Sequence, residues 1–464
     1  MEYQAFLEKK KAKSYNAGFD IERDHLHDKL FEYQKDIVKW ALKRGKAAIF
    51  ANTGLGKTLM QVEWAQKVHE ETGQNVILIV PLAVASQTIR EAHEKLNVTV
   101  HRTRQDDDVR DGLNITNYEN LHNFSPGQFG GVVLDESSIL KNFTGKIRNQ
   151  IIDDFRDTPY KLACTATPAP NDFMELGNHS EFLNIMSRTE MLAMYFIHDS
   201  GETQKWRLKG HGAHKFWEWV STWSVMIQSP ADLGYDATAF DLPPLHIKQE
   251  VIEAETQDGF LIPQVAETLS ERQQARRESI TERCERAAEL ANSTDDQWIM
   301  WCALNDESEL LTKLIDGAVE VKGSDKPEHK EQAMIDFADG KIRVLVTKPK
   351  IAGMGMNWQR CNKMAFVGLS DSFEQVYQAI RRCYRFGQDK EVTVYMVTSE
   401  IEGNVVKNIE RKEKDFNKMA GEMKKLTKSI LNPETVSASN EKMQYEGTQQ
   451  IQLPSFLKET INNG

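Results

Sequence analysis

The stretch KAAIFANTGLGKTLMQVEW (46–64) decides the architecture. KAAIFA (46–51) reads as a short buried strand, and the residues from Lys57 to about His69 read as a helix. Between them, Gly54 and Gly56 let the backbone wrap closely around an anion, because neither carries a Cβ. A helix starting near Lys57 aims its free N–H groups at the same point. ANTGLGKT (51–58) is therefore a P-loop in its required strand–loop–helix setting. Thr53, Gly54, Leu55, Gly56, Lys57 and Thr58 would cradle ATP. Lys57 would bridge the β- and γ-phosphates, and the Thr58 hydroxyl would hold Mg²⁺.

Outward from this point the chain alternates short apolar runs with amphipathic stretches. VILIVP (76–81), GLNITN (112–117), GVVLDE (131–136) and YKLACTAT (160–167) read as strands, and a helical pattern covers about 85–96. Such alternation implies a mostly parallel sheet wrapped by helices, with ligands beyond the carboxyl ends of the strands. VVLDES (132–137) ends one strand in adjacent carboxylates: Asp135 fits as the Mg²⁺ partner and Glu136 as the base that positions the attacking water. The alternation restarts at WIMWC (298–302). It continues through a helix at 306–316, strands at 342–346 and 363–368, a helix at 373–382 and a strand at 391–397. QAIRRCYRFGQ (378–388) lies in this second half. It places Arg382 and Arg385 three apart on one expected helical face, with Gln378 a turn before, where a cation reaching across a cleft to a γ-phosphate belongs.

The expected organisation is an extension over 1–29, a first α/β lobe over 30–171 and a helical insertion or linker over 172–294. A second lobe over 295–400 and a basic helix with a polar tail over 401–464 complete it. The insertion carries Trp206, Phe216, Trp217, Trp219 and Trp223. Three of these rings fall on one helical face, which reads as a core stripe, with a base-stacking platform as the alternative. A long charged helix is expected at 263–292. The lysine-rich stretch after 400 has interleaved acids and reads as a solvated face.

Composition is ordinarily globular: 464 residues, 40% hydrophobic and 27% charged. The net charge of −11 argues against indiscriminate coating of nucleic acid but says little about a cleft. Five scattered cysteines without a CxxC pair argue for reduced thiols and a cytoplasmic setting, and against a zinc site. No apolar run approaches the ~20 residues of a membrane span. The N-terminal MEYQAFLEKKKAK lacks the apolar stretch of a secretory signal. His211 and His214 in KGHGAH have no acidic partners and read as loop residues.

Taken together the motifs resemble superfamily 2 DNA-dependent ATPases, most closely the Snf2-like branch, in a bacterial or bacteriophage form. LFEYQ (30–34) looks like the adenine-reading glutamine motif, ANTGLGKT like motif I and IVPLAVASQTIREA (79–92) like motif Ia. ITNYENL (115–121) is similar to the next nucleic-acid-facing motif, DESS (135–138) to motif II and TATPAPND (165–172) to motif III. VLVTKPKIAGMGMNWQ (344–359) looks like motif V, and LSDSFEQVYQAIRRCYRFGQ (369–388) like motif VI and its lead-in. The matches run in the family's order over about 30–400. LPP (242–244) resembles the start of the second lobe in that branch.

The resemblance implies two RecA-like lobes that close on Mg²⁺–ATP and translocate on nucleic acid, double-stranded DNA above all. Replication, recombination or restriction proteins would be the partners. It makes Gln34 the adenine reader and places Gly355 at the nucleotide. Pro81, Thr116, Tyr118, Thr165, Thr167, Thr347 and Asn357 become contacts to nucleic acid or couplers of nucleotide state. Alternatives are a strand-separating helicase on DNA or RNA, and a binding clamp that has lost catalysis. Three departures stand out: Ala51 in place of the usual glycine, which superfamily 2 commonly shares; Ser138 where relatives carry histidine; and KPKIAG in motif V.

Overall fold

The computed structural model describes residues 16–82, 84–198, 206–252, 274, 277–352, 357–369, 372–399 and 403–431. Two parallel sheets organise these residues. The first has seven strands, in spatial order Val100–Arg102, Leu113–Asn117, Asn75–Val80, Phe129–Asp135, Tyr160–Thr165, Lys46–Ala51 and Ser224–Ile227. The second has six: Leu245–Ile252, Val392–Ser399, Lys363–Phe366, Trp298–Trp301, Val344–Thr347 and Ala318–Val321. Central strands such as Asn75–Val80 and Phe129–Asp135 are buried along nearly their whole length, as a sheet covered on both faces requires.

The strand register brings chemically active residues to a common height. Phe50 pairs with Thr165 and Asp135 with Cys164, so three neighbouring strands end at one level of the sheet. The loop after Ala51, the carboxylates after Leu134 and the hydroxyl of Thr165 are thereby delivered to one edge. That edge is the carboxyl end of a parallel sheet, where open α/β folds place ligands.

The stretch 172–294, expected as a helical insertion, is shared between the lobes. Its Ser224–Ile227 runs parallel to Lys46–Ala51 as an edge strand of the first sheet, and its Leu245–Ile252 pairs with Val392–Ser399 in the second. Between them the chain passes from one lobe to the other. Phe216, Trp217, Trp219 and Trp223 on the helix Ala213–Trp223 are all buried against the first lobe. Trp223 meets Phe50 edge-on at 6.2 Å, and Tyr195 stacks on Trp219 at 5.4 Å. The stripe is core. Of the expected charged helix, Ile280–Asn292 is seen, packed beneath the second sheet; most of 263–279 lies outside the described residues.

After the last strand of the second sheet, the helix Gly403–Leu431 returns to the first lobe. Phe416, Met419, Ala420 and Met423 enter that lobe's core beside Trp223 and Met226. The Met226 N–H donates to Thr427 Oγ1 at 3.2 Å, and Lys424 pairs with the buried Asp232. Lys407, Lys414, Lys418, Lys425 and Lys428 face solvent, so the helix is solvated on one side only. Residues 1–15 of the expected extension and the tail beyond 431 lie outside the described residues. No described helix is long and apolar enough to cross a membrane.

Candidate active site

The loop following Ala51 turns twice through the left-handed region, at Gly54 (φ +86°) and Gly56 (φ +73°). A side chain at either position would also collide. A Cβ on Gly56 would sit 2.3 Å from Gln34 Nε2, and one on Gly54 would sit 3.1 Å from the Phe386 backbone nitrogen. Glycine is needed at both for space as well as for backbone conformation. The helix Lys57–Thr72 then begins with its free N–H groups facing the loop's concavity. Lys57 Nζ donates to the carbonyls of Ala51 at 2.9 Å and Asn52 at 3.3 Å, folded back into the cradle that a phosphate would fill.

Across the sheet edge, Asp135 and Glu136 follow the strand Phe129–Asp135. Gln61, one turn beyond Lys57, donates to Asp135 Oδ1 at 2.7 Å, and Tyr118 Oη donates to the Asp135 carbonyl at 2.6 Å. Thr165 Oγ1 donates to Glu136 Oε2 at 3.1 Å and accepts from the Thr167 N–H at 3.1 Å. Glu136 itself occupies the left-handed region (φ +52°), a conformation a non-glycine residue holds only where its surroundings impose it. Burial and the neighbouring Glu136 raise the Asp135 carboxyl to about 6, against the hydrogen bond from Gln61 and the charge of Lys57. Burial lowers the Lys57 ammonium, and Glu136 and Asp135 oppose that shift.

The second lobe closes the site. Arg382 and Arg385 do not share a helical face, because the helix Phe373–Ile380 ends before them. Backbone carbonyls beyond its end are taken by other partners: the Trp358 N–H captures the Arg382 carbonyl at 3.0 Å, and Gln388 Nε2 donates to the Cys383 carbonyl at 3.1 Å. The chain therefore unwinds into consecutive turns that deliver both guanidinium groups to the same cleft. Burial and Arg385 lower the Arg382 guanidinium to about 10, with Glu136 and Asp135 opposing. The cleft has a volume of about 200 Å³. Thr53, Gly54, Gly56, Lys57, Thr58, Asp135 and Glu136 line one side, and Asn357, Gln359, Arg382, Arg385 and Phe386 line the other. Tyr377 Oη spans the lobes to donate to Asn52 Oδ1 at 2.6 Å, and Lys141 pairs with Glu374.

Residues 33–195 match the SNF2-related domain model, and residues 281–387 match the helicase conserved C-terminal domain model. The chain is a Snf2-like member of superfamily 2. Between them the two models cover more than half of it. A Bacillus subtilis protein named as an ATP-dependent helicase, YqhH, is 23% identical over 453 residues, across 84% of this chain and 79% of its own length. A bifunctional helicase and thymine dioxygenase of Leishmania braziliensis is 34% identical over 87 residues, only 8% of that protein. The fold is like that of Saccharomyces cerevisiae Dbp5 bound to RNA and ADP–BeF3, with a TM-score of 0.52 and 14% identity. That match covers 85% of this chain and 93% of the other. As a Snf2-like protein the chain is an ATP hydrolase of the helicase type.

Within this Snf2-like frame several expected residues stand elsewhere than the motifs imply. Gln34 is buried beneath the phosphate loop with both amide ends engaged: Oε1 accepts from the Phe31 N–H at 2.9 Å, and Nε2 donates to the Leu55 carbonyl at 3.0 Å. Thr347 is fully buried and its hydroxyl donates to the Val321 carbonyl at 3.0 Å, directed into the sheet rather than to a groove. Tyr118 is likewise turned inward on Asp135, while Asn357 lines the nucleotide cleft itself. Gln378 is buried beside the cleft without lining it, and the Thr167 hydroxyl is fully buried. Gly355 lies outside the described residues.

Thr116 lines a second cavity, of about 260 Å³, with Leu82, Arg102, Arg104, Asn117 and Asn120; Pro81 immediately precedes Leu82 in the chain. The residues not anticipated are Gln61, Asn52 and Phe386. For Gln61 a signal existed: four residues beyond Lys57, it lies on the same helical face. The other two contact partners hundreds of residues away.

Proposed function

We propose that the chain is a DNA-dependent ATPase motor that couples Mg²⁺–ATP hydrolysis between its lobes to translocation on double-stranded DNA. The observation that carries this reading is the single cleft lined by the phosphate loop and carboxylates of one lobe and the arginines of the other. Lys57 and the N-terminus of its helix would hold the β- and γ-phosphates. Glu136, oriented by Thr165, would align the attacking water and take its proton. Arg382 and Arg385 would stabilise charge developing on the transferred phosphoryl group. Thr58 and Asp135 offer a hydroxyl and a carboxylate, the hard oxygen donors Mg²⁺ prefers, and would hold it. When bound, the ion would neutralise phosphate charge.

Because the arginines belong to one lobe and the phosphate loop to the other, ATP would favour the closed arrangement and hydrolysis would release it. Arg102 and Arg104, exposed around the second cavity with Asn117 and Asn120, supply the donors that backbone phosphates need. The preference for duplex over single strands rests on the Snf2-like character of the chain.

Two measurements test the reading. Lys57→Ala should reduce duplex-stimulated ATP hydrolysis to background while the protein stays folded; activity near wild type would sink the site assignment. Triplex displacement in the presence of ATP, without unwinding of a forked duplex, is the expected motor signature. Efficient fork unwinding would instead identify a strand-separating helicase.

A further inference from the structure

The helix Gly403–Leu431 carries eight basic residues against four acidic ones, in a chain whose net charge is −11. Lys407, Arg411, Lys414, Lys418, Lys425 and Lys428 recur along it at alternating steps of four and three residues, with Gly421 in the one remaining place of the series. That spacing keeps every member on one narrow stripe of an α-helix. All seven positions are exposed, and the stripe lies opposite Phe416, Met419 and Met423, which enter the core of the first lobe. At 1.5 Å per residue the row is about 31 Å long.

Its chemistry favours a polyanion. Lys407, Lys414, Lys418 and Lys428 make no ion pair with a carboxylate among the described residues. The acids sit on the shoulders of the stripe, where Asp415 pairs with Arg411 at 3.3 Å and Glu422 with Lys425 at 3.4 Å. Such exposed pairs are weak and exchange readily for a stronger anion. No large apolar side chain is exposed among the described residues of the helix. A protein partner is gripped through buried aromatic and aliphatic anchors, and this face offers none. A nucleic-acid backbone presents a charge every ~1.7 Å of duplex axis and is held by cations without such anchors.

The row is also remote from the cavity at Arg102 and Arg104. That cavity opens beside Val100–Arg102, at one edge of the first sheet, whereas the helix packs over Ser224–Ile227 at the other edge. Six strand spacings, about 29 Å, separate them. We propose that the exposed row from Lys407 to Lys428 is a second docking surface for the backbone of duplex DNA, separate from the one around Thr116. This rests on the DNA-motor reading and extends it. Because the helix is packed on the first lobe, the row keeps its hold whether the nucleotide cleft is open or closed.

The test is binding of linear duplex DNA to the full chain as salt is varied, in wild type and in the triple variant Lys414→Gln/Lys418→Gln/Lys425→Gln, with polyglutamate as a second probe. Each neutralised phosphate adds about 0.9 to the steepness of log affinity against log salt, so the variant's slope should be shallower by about 2.7. Its duplex affinity at low salt should fall by about tenfold or more, equally with and without a non-hydrolysable ATP analogue. DNA-free ATP hydrolysis and the melting temperature should not change, since all three side chains are exposed and none lines the cleft. An unchanged slope and affinity for duplex would overturn the surface. So would a loss confined to polyglutamate, which would point to an acidic protein partner instead. Wild-type protein whose ATP hydrolysis does not respond to duplex would fail the motor reading, a result distinct from either binding outcome.

Discussion

Glu136 holds a backbone conformation that ordinarily costs about 1–3 kcal/mol, and three of its neighbours maintain it. Tyr118 fixes the preceding carbonyl, Thr165 the carboxylate, and Ser137 Oγ lies 3.0 Å from His179 Nε2 in the core. Releasing the carboxylate should therefore cost turnover more than binding. Thr165→Val is expected to lower kcat roughly tenfold, the low end of what positioned proton-transfer groups contribute, with KM for ATP little changed. A rise in KM at constant kcat would refute the positioning role. Gly56→Ala should act in the opposite sense. Its Cβ meets the pinned Gln34 amide and its φ is positive, so the loop must deform, and nucleotide affinity should fall at least tenfold by titration.

Lys161 offers a pH test at the same scale. It is fully buried, with Nζ donating to the Phe182 carbonyl at 2.9 Å, and burial, reinforced by Lys46, brings its ammonium down to about 7. In the unfolded chain it titrates near 10.5. Below pH 7 both states are charged and burying the ammonium destabilises the fold in full. Between pH 7 and 10.5 the unfolded state binds more protons, so this group's penalty shrinks as pH rises. Lys161→Met should flatten that part of the stability profile, seen as a smaller gain in denaturation midpoint from pH 7 to 9 than in wild type. An identical slope in both proteins would assign the pH dependence to other groups.

Among the elements, the helix Gly403–Leu431 departs furthest from its sequence pattern. Its lysines and acids announce a solvated face, and they form one. The opposite face carries Phe416, Met419 and Met423, and these complete the core of the first lobe although the helix follows the second. Phe416 also touches Phe373 at 5.7 Å and Tyr377 at 5.5 Å on the helix that leads to Arg382. Phe416→Ala should destabilise the protein by about 3 kcal/mol, the usual cost of removing a buried phenyl ring, measured by denaturant unfolding. A loss under ~1 kcal/mol would mean the helix docks weakly.

The edge strands were hidden for a similar reason. Ser224–Ile227 is buried and short, inside a stretch whose aromatic stripe reads as helix. Leu245–Ile252 carries Lys248, Gln249 and Glu250 and is mostly exposed, so no apolar run marks it. The central strands could be read because burial on both faces demands uninterrupted apolar residues.

At the scale of the whole molecule, polar contacts cross between the lobes beside the cleft: Tyr377 to Asn52 and Lys141 to Glu374. The first ties the arginine-bearing segment to the phosphate loop. Removing it with Tyr377→Phe loses about 1 kcal/mol, a roughly fivefold shift toward the open arrangement. Small-angle scattering of the nucleotide-free variant should show a larger radius of gyration, restored by a non-hydrolysable ATP analogue. No change in either condition would leave the hydrogen bond without a role in closure.

The phosphate loop, the Asp135–Glu136 pair and the arginines of RRCYRFGQ were legible in the linear chain. Each is a local pattern whose chemistry depends on residues a few positions apart. The alternation of buried strands with helices was legible for the same reason, and with it the two parallel-sheet lobes. Folding in three dimensions was required to learn that Ser224–Ile227 and Leu245–Ile252 belong to different sheets. The same holds for the docking of Gly403–Leu431 on the first lobe, the engagement of Gln34 and Thr347 by backbone carbonyls, and the meeting of Phe386 with Gly54. Those outcomes depend on complementary surfaces and competing hydrogen-bond partners brought together from distant parts of the chain, and no periodicity along a single segment records them.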